Sequence, residues 1–183
     1  VDESFLYFNS SFEKKYARLL AGRYITMKIA LNLFIQRDGK TIVETGTTRN
    51  SDNFFGDGCS TIVFGEFCEK FNKKLVTIDI NKDSIELAKK ETQLYSEHIT
   101  YIVSDSIEYL KNFEGKIDLL YLDSMDCLAC AETDNPELIK SQEHNLKELL
   151  TAMKNLSPKS IILLDDNGFI NGGKPKKKQT VSN

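Results

Sequence analysis

Five short apolar runs, each ending in a carboxylate or followed closely by one, constrain this chain more than any other feature. They are Thr41 to Thr45, Leu75 to Asp79, Ile99 to Val103, Ile117 to Leu122 and Ile161 to Leu164. They are continuous rather than alternating, the pattern of strands buried on both faces of a parallel sheet. Amphipathic stretches separate them. Ser60 or Thr61 opens a helix with Ile62, Val63, Phe67 and Phe71 on its apolar face. Asn81 suits the cap of a helix running through Ile85, Leu87, Ala88 and Leu94, and a short helix is expected around Ile107 to Leu110. Asn135-Pro136-Glu137 opens another, with Leu138, Leu146, Leu149, Leu150 and Met153 as its expected apolar face. Strands alternating with helices predict a doubly wound, mainly parallel α/β sheet with helices on both faces.

Residues 1–40 read as an N-terminal helical cap. Ser10-Ser11-Phe12-Glu13 fits a capping box, and Leu19-Leu20, Ile25, Ile29 and Leu33, with Met27, Leu31 and Phe34, follow at helical spacing until Asp38-Gly39. The sheet domain is expected over 41–170. A polar tail with Lys174, Lys176, Lys177 and Lys178 occupies 171–183.

Composition excludes several classes. The net charge of −3 leaves no overall cationic footprint for nucleic acid. The apolar runs are far too short for a membrane span. Four cysteines are too few for a disulfide framework, so the chain reads as intracellular and cytoplasmic. Cys127 and Cys130 form a CxxC that has neither a second ligand pair for zinc nor the early position of a thioredoxin-type motif; it reads as ordinary loop thiols. The sequence opens on Val1-Asp2-Glu3, without an initiator Met or a signal-peptide pattern, as expected of a trimmed portion of a longer chain.

The acids carry the functional reading. Glu44, Asp79, Asp123 and Asp165-Asp166 stand at the ends of strands one, two, four and five, and Asp105 follows strand three. In an open parallel sheet these positions share the edge where ligands bind. Like charges gathered there are unfavourable unless a ligand or cation uses them, although any one of them can also cap the helix that follows. A dinucleotide site would need G-x-G-x-x-G after strand one, but the sequence reads Glu44-Thr45-Gly46-Thr47-Thr48-Arg49. The G-x-x-x-x-G-K-[ST] phosphate loop is absent too. An acid at the end of strand one suits an ammonium or sulfonium, and Asp79 is placed to accept from a ribose diol. S-adenosylmethionine is a cationic, ribose-containing ligand of that kind.

With those residues in view, the chain over roughly 40–168 resembles the class I S-adenosylmethionine-dependent methyltransferases, closest to the small-molecule (catechol-type or sugar) O-methyltransferases. The resemblance implies a Rossmann-like fold. It implies that Glu44, Gly46 and Thr47 lie beside the methionine part of the cofactor and that Ser60 approaches its carboxylate from a helix start. It further implies that Asp79 binds the ribose, that Asp105 and Ser106 lie near the adenine, and that Asp123 stands close to the transferred methyl. Asp123 with Asp166 and Asn167 matches the set that holds a divalent cation in the metal-dependent members, and three oxygen ligands suit Mg²⁺ or Ca²⁺. Asp165-Asp166-Asn167-Gly168 also reads as a turn that happens to be acidic.

The chain departs from that pattern in two places. Arg49 to Asp57 stretches the glycine loop, with Gly58-Cys59-Ser60-Thr61 as its displaced end. The antiparallel strand pair expected after strand five is short or missing, which implies an incomplete chain, an edge covered by a partner such as a second copy, or a reduced version. Asn53-Phe54-Phe55 reads as a lid, a substrate wall or a packed surface loop. His144 is a candidate general base near the acceptor or a partly exposed helical residue. The expected activity is methylation of a small-molecule or sugar hydroxyl. The alternatives are a non-catalytic cofactor-binding module and a nicotinamide-dependent oxidoreductase.

Overall fold

The computed structural model describes residues 3–55, 59–125 and 136–165. Three helices come first: α1 (Glu3–Asn9), α2 (Ser11–Tyr16) and α3 (Arg23–Gln36). They lead into β1 (Thr41–Thr45), α4 (Ser60–Phe71), β2 (Lys74–Asp79), α5 (Lys82–Glu91), β3 (Ile99–Val103), α6 (Ser106–Asn112), β4 (Leu119–Leu122), α7 (Pro136–Ala152) and β5 (Ile161–Leu164). Short 3₁₀ turns precede β3 and follow α7. All strand pairs are parallel, in the order β3-β2-β1-β4-β5. This is the Rossmann-like α/β sheet expected from the apolar runs. The order reverses between β1 and β4, so the crevice outside their carboxyl ends is the topological switch point where such sheets bind ligands.

Strand alternation splits the core in two. Ile42, Leu75, Ile99, Leu119 and Tyr121 face α4 and the N-terminal helices, and pack with Phe8, Phe12, Tyr16, Phe34, Phe64 and Phe67. Val43, Val76, Ile78, Leu120 and Leu122 face the other way, against Leu110 and Ala152. The N-terminal helices thus share a core with the sheet rather than resting on it. β1 and β4 are buried nearly throughout, whereas the edge strands β3 and β5 are only partly covered.

Several local expectations change. The capping box at Ser10 does not form: its hydroxyl donates back to the Leu6 carbonyl instead of accepting at the start of α2. On α3 the buried stripe is Met27, Ala30, Leu31 and Phe34, while Ile25 and Ile29 are exposed. On α7 the inward stripe is Leu138, Ser141, Asn145, Glu148 and Ala152, with Leu149 packed against the core; Leu146 and Leu150 are exposed, as is Met153 in the 3₁₀ turn that follows. α7 lies across the ligand edge, where its inner face meets polar chain ends, so periodicity of apolar residues places Leu138 and Leu149 correctly but misses Ser141, Asn145 and Glu148. Leu94 falls beyond α5, in a 3₁₀ turn, and is exposed. Asn81 caps α5 as expected, its side chain accepting from Asp83 N at 2.8 Å and Ser84 N at 3.4 Å.

Candidate cofactor site

The switch point holds a cavity of about 160 Å³ lined by Gly46, Ile78, Asp79, Ile80, Ser104, Asp105, Ser106, Ser124, Met125 and His144. Gly46 makes it possible. It has φ +82°, and a Cβ there would lie 2.1 Å from the Asp123 carbonyl oxygen. Only glycine combines that left-handed backbone with so close an approach. The chain leaving β1 therefore passes directly against the chain leaving β4.

Asp79 ends β2 and is pinned by two backbone donors: Thr47 N to one oxygen at 3.1 Å and Asn81 N to the other at 2.7 Å. It ties the glycine turn to the second strand and faces the cavity. Asp105 serves both readings open to it. Its side chain caps α6 by accepting from Glu108 N at 3.0 Å, and it also lines the cavity. The exposed apolar side chains of Ile80 and Met125 supply apolar surface to the same cavity.

Glu148 is fully buried at the back of this site. It accepts from Ser124 Oγ at 2.7 Å and from Thr45 Oγ1 at 3.2 Å, joining α7 to the ends of β4 and β1. His144, one turn earlier, has Nε2 3.3 Å from the same carboxylate and 3.4 Å from Ser106 Oγ. The structure thus puts His144 in the wall of the cavity with Asp105 and Ser106.

Glu44, Thr47, Ser60 and Asp123 are not among the lining residues. Position 44 shares the parity of Ile42, so Glu44 points under α4, beside Thr77 in the register of β1 and β2. It is fully buried, and one oxygen accepts from Thr61 Oγ1 and Thr77 Oγ1, each at 2.7 Å. Burial pushes this carboxyl up to about 7, against the opposing pull of the Ser60, Thr77 and Thr61 hydroxyls. Thr47 Oγ1 lies 3.0 Å from both threonine hydroxyls, and Thr48 N donates to Thr61 Oγ1 at 2.9 Å. Glu44 therefore anchors the glycine turn from beneath, away from the cavity lining.

On the other side of the switch point, Asp123 meets Tyr121, whose hydroxyl lies 3.4 Å from Asp123 Oδ2 and donates to Asp165 Oδ2 at 2.6 Å. Burial, then the charges of Asp123 and Asp165, raise the phenol far above its ordinary range, so it remains a donor. Arg23 Nε donates to the same Asp165 oxygen at 2.6 Å. Phe54 packs on Tyr16, ring centroids 6.2 Å apart, while Phe55 is exposed. Asp166, Asn167, Gly58 and the Cys127–Cys130 pair lie outside the described residues.

Glu148, Arg23, Tyr121, Ile80 and Met125 are site residues that the sequence reading did not pick out. Glu148 lies in a charged, leucine-rich helical stretch that resembles any solvent face. Ile80 and Met125 carried one usable signal, each being an apolar residue one or two places after a strand-end acid.

Residues 54–167, more than half of the chain, match the family described as a methyltransferase domain, and the chain belongs to that family. No curated protein matches it in sequence. Solved structures of similar fold include a Podospora anserina methyltransferase bound to S-adenosylhomocysteine, at 18% identity and a TM-score of 0.53. That alignment covers 90% of this chain and 62% of the other, so the chain spans about three fifths of that relative. A second is an S-adenosylmethionine-dependent methyltransferase from Thiobacillus denitrificans in complex with S-adenosylhomocysteine, at 16% identity and a TM-score of 0.49, covering 90% of this chain and 55% of that one. Among the described residues no helix is long and apolar enough to cross a membrane. Among the same residues no group of three His, Cys, Asp or Glu side chains is arranged to hold a metal ion.

Proposed function

We propose that this chain binds S-adenosylmethionine in the switch-point cavity and methylates a hydroxyl oxygen of a small molecule or sugar. The observation that carries this reading is Asp79, held at the cavity wall by Thr47 N and Asn81 N, with Asp105 and Ser106 farther along the same cavity. Asp79 would accept from the ribose diol. Asp105 and Ser106 would meet the adenine edge, with Ile80 and Met125 supplying apolar contact for the ring. Gly46 keeps side-chain bulk away from the point where β1 and β4 meet.

When bound, the cofactor would supply a methyl on a sulfonium, and in-line attack of an acceptor oxygen on that carbon would release the sulfur as a neutral thioether. Asp123 stands where β4 delivers it to that crevice; its role would be to take the acceptor's proton and to favour the cationic sulfur electrostatically. His144 fits the cofactor wall better than the acceptor side, because its polar neighbours are Ser106 and Glu148.

The expected Mg²⁺ or Ca²⁺ set is Asp123, Asp166 and Asn167, the last two outside the described residues. Of that set only Asp123 is among the described residues, and its neighbour across β4 and β5 is Asp165, which is outside the set. The acid that follows β5 directly, Asp165, already binds a guanidinium, and a second cation alongside would be repelled. No step is assigned to a metal.

The test is calorimetric titration with S-adenosylhomocysteine, with NAD as control. The expected result is binding of the first and none of the second. Asp79→Ala should weaken it about 10- to 100-fold, the worth of hydrogen bonds to a charged group. Unchanged affinity in that variant would overturn the ribose assignment, and preferential binding of NAD would overturn the cofactor.

A further inference from the structure

Asp123 and Asp165 follow β4 and β5 directly, and these strands are parallel neighbours with Leu122 opposite Leu164. The register sets the two carboxylates side by side at the ligand edge, and one phenol, Tyr121, reaches both. Two adjacent acids in a half-buried position repel unless a positive charge faces them. That charge arrives from the other end of the chain. Arg23, the first residue of α3, places Nε 2.6 Å from Asp165 Oδ2. A second guanidinium nitrogen donates to the Phe55 carbonyl at 3.2 Å. The pair is largely withdrawn from solvent, with side-chain exposures of 22% for Arg23 and 15% for Asp165.

Several properties suit a guanidinium to this place. It keeps its charge under all ordinary conditions, and its fork of donors serves more than one acceptor. Burial alone would weaken its hold on the proton, but Asp165, Tyr121 and Asp123 together outweigh that and raise it. The same side chain ties three separate segments together: the start of α3, the loop after β1 and the end of β5. A hydrated divalent ion would have to displace it to reach Asp165 Oδ2.

We propose that Arg23 is the built-in cation of the acceptor-side edge, holding the β4 and β5 carboxylates in the place a divalent metal would otherwise take. Arg23 is then a positioning residue, acting through Asp165 and Tyr121. The edge is assembled only when α3 is docked. The catalytic meaning of this assignment rests on the methyl-transfer reading, whereas the electrostatic assignment does not.

The experiment is a titration of the full chain with Mn²⁺, followed by electron paramagnetic resonance of the free ion. The proteins compared are the wild type, Arg23→Gln, Arg23→Lys, and Arg23→Gln combined with Asp165→Asn. Arg23→Gln removes the charge at similar size and should raise Mn²⁺ affinity by at least about tenfold over wild type. Arg23→Lys keeps a cation and should show no such gain. Asp165→Asn should abolish the gain in the glutamine background. A folded Arg23→Gln protein with wild-type Mn²⁺ affinity overturns the proposal. Tight Mn²⁺ binding by the wild type that Asp123→Asn removes overturns it too, and that measurement requires no variant at Arg23 to fold. S-adenosylhomocysteine titrations on the same samples judge the cofactor reading separately. The expected Mn²⁺ pattern without cofactor binding would leave the charge assignment standing and remove the methyl-transfer reading.

Discussion

Replacing Glu44 by Gln should change how the stability of this protein depends on pH. Glu44 is fully buried under α4, and burial lifts its carboxyl from 4.5 to about 7. In the unfolded chain the group ionises near its ordinary value. Between those two values the folded state holds a proton that the unfolded state has released, so unfolding releases a proton and stability falls as pH rises. The loss is complete above about 7, where both states are ionised. A difference of 2.5 units corresponds to about 3 kcal/mol over the whole range, at 1.36 kcal/mol per unit, and to roughly 2–3 kcal/mol between pH 5 and pH 8. That is a large fraction of the 5–15 kcal/mol typical of a domain.

Glutamine keeps a carbonyl to accept from Thr61 and Thr77 but cannot ionise. Urea denaturation of both proteins at pH 5 and pH 8 isolates the effect, because the other titrating groups are shared and cancel. Relative to wild type, Glu44→Gln should gain roughly 2–3 kcal/mol on going from pH 5 to pH 8. A fixed offset from the new amide appears at both pH values and does not enter that difference. If the two proteins keep the same difference at both pH values, the buried carboxyl does not hold its proton in the folded state.

Two further outcomes follow from the site geometry. Gly46→Ala drives a Cβ into the Asp123 carbonyl at a left-handed φ, so it should destabilise by at least about 2 kcal/mol in a thermal melt and abolish S-adenosylhomocysteine binding. Glu148→Ala removes the acceptor for Ser124 and Thr45 and the partner of His144, and should cost about 2–4 kcal/mol by denaturant titration. Because Ser124 and His144 line the cavity, the same variant should weaken S-adenosylhomocysteine binding even at temperatures where it remains folded.

The sequence alone determined the sheet. Runs such as Ile161 to Leu164 are too short for helices and too apolar for an exposed sheet, and acids at their ends mark one edge as the ligand edge. Asn81 was legible as well, since a helix cap depends on one residue and its immediate neighbours, whereas Gly46 was picked out only through the family resemblance. The direction in which each acid points needed the tertiary structure. Glu44 and Asp79 look alike as strand-end carboxylates. Yet β1 lies between β2 and β4, and its alternation turns Glu44 under α4, whereas Asp79 remains at the cavity. The inner face of α7 was hidden for a related reason. Glu148 is buried among polar chain ends, and no apolar period marks such a surface. Arg23 and Asp165 are 142 residues apart, and nothing local to either one predicts the other. Their pairing exists only because α3 packs into the core shared by the first strand and its neighbours, a long-range contact that residue spacing cannot encode.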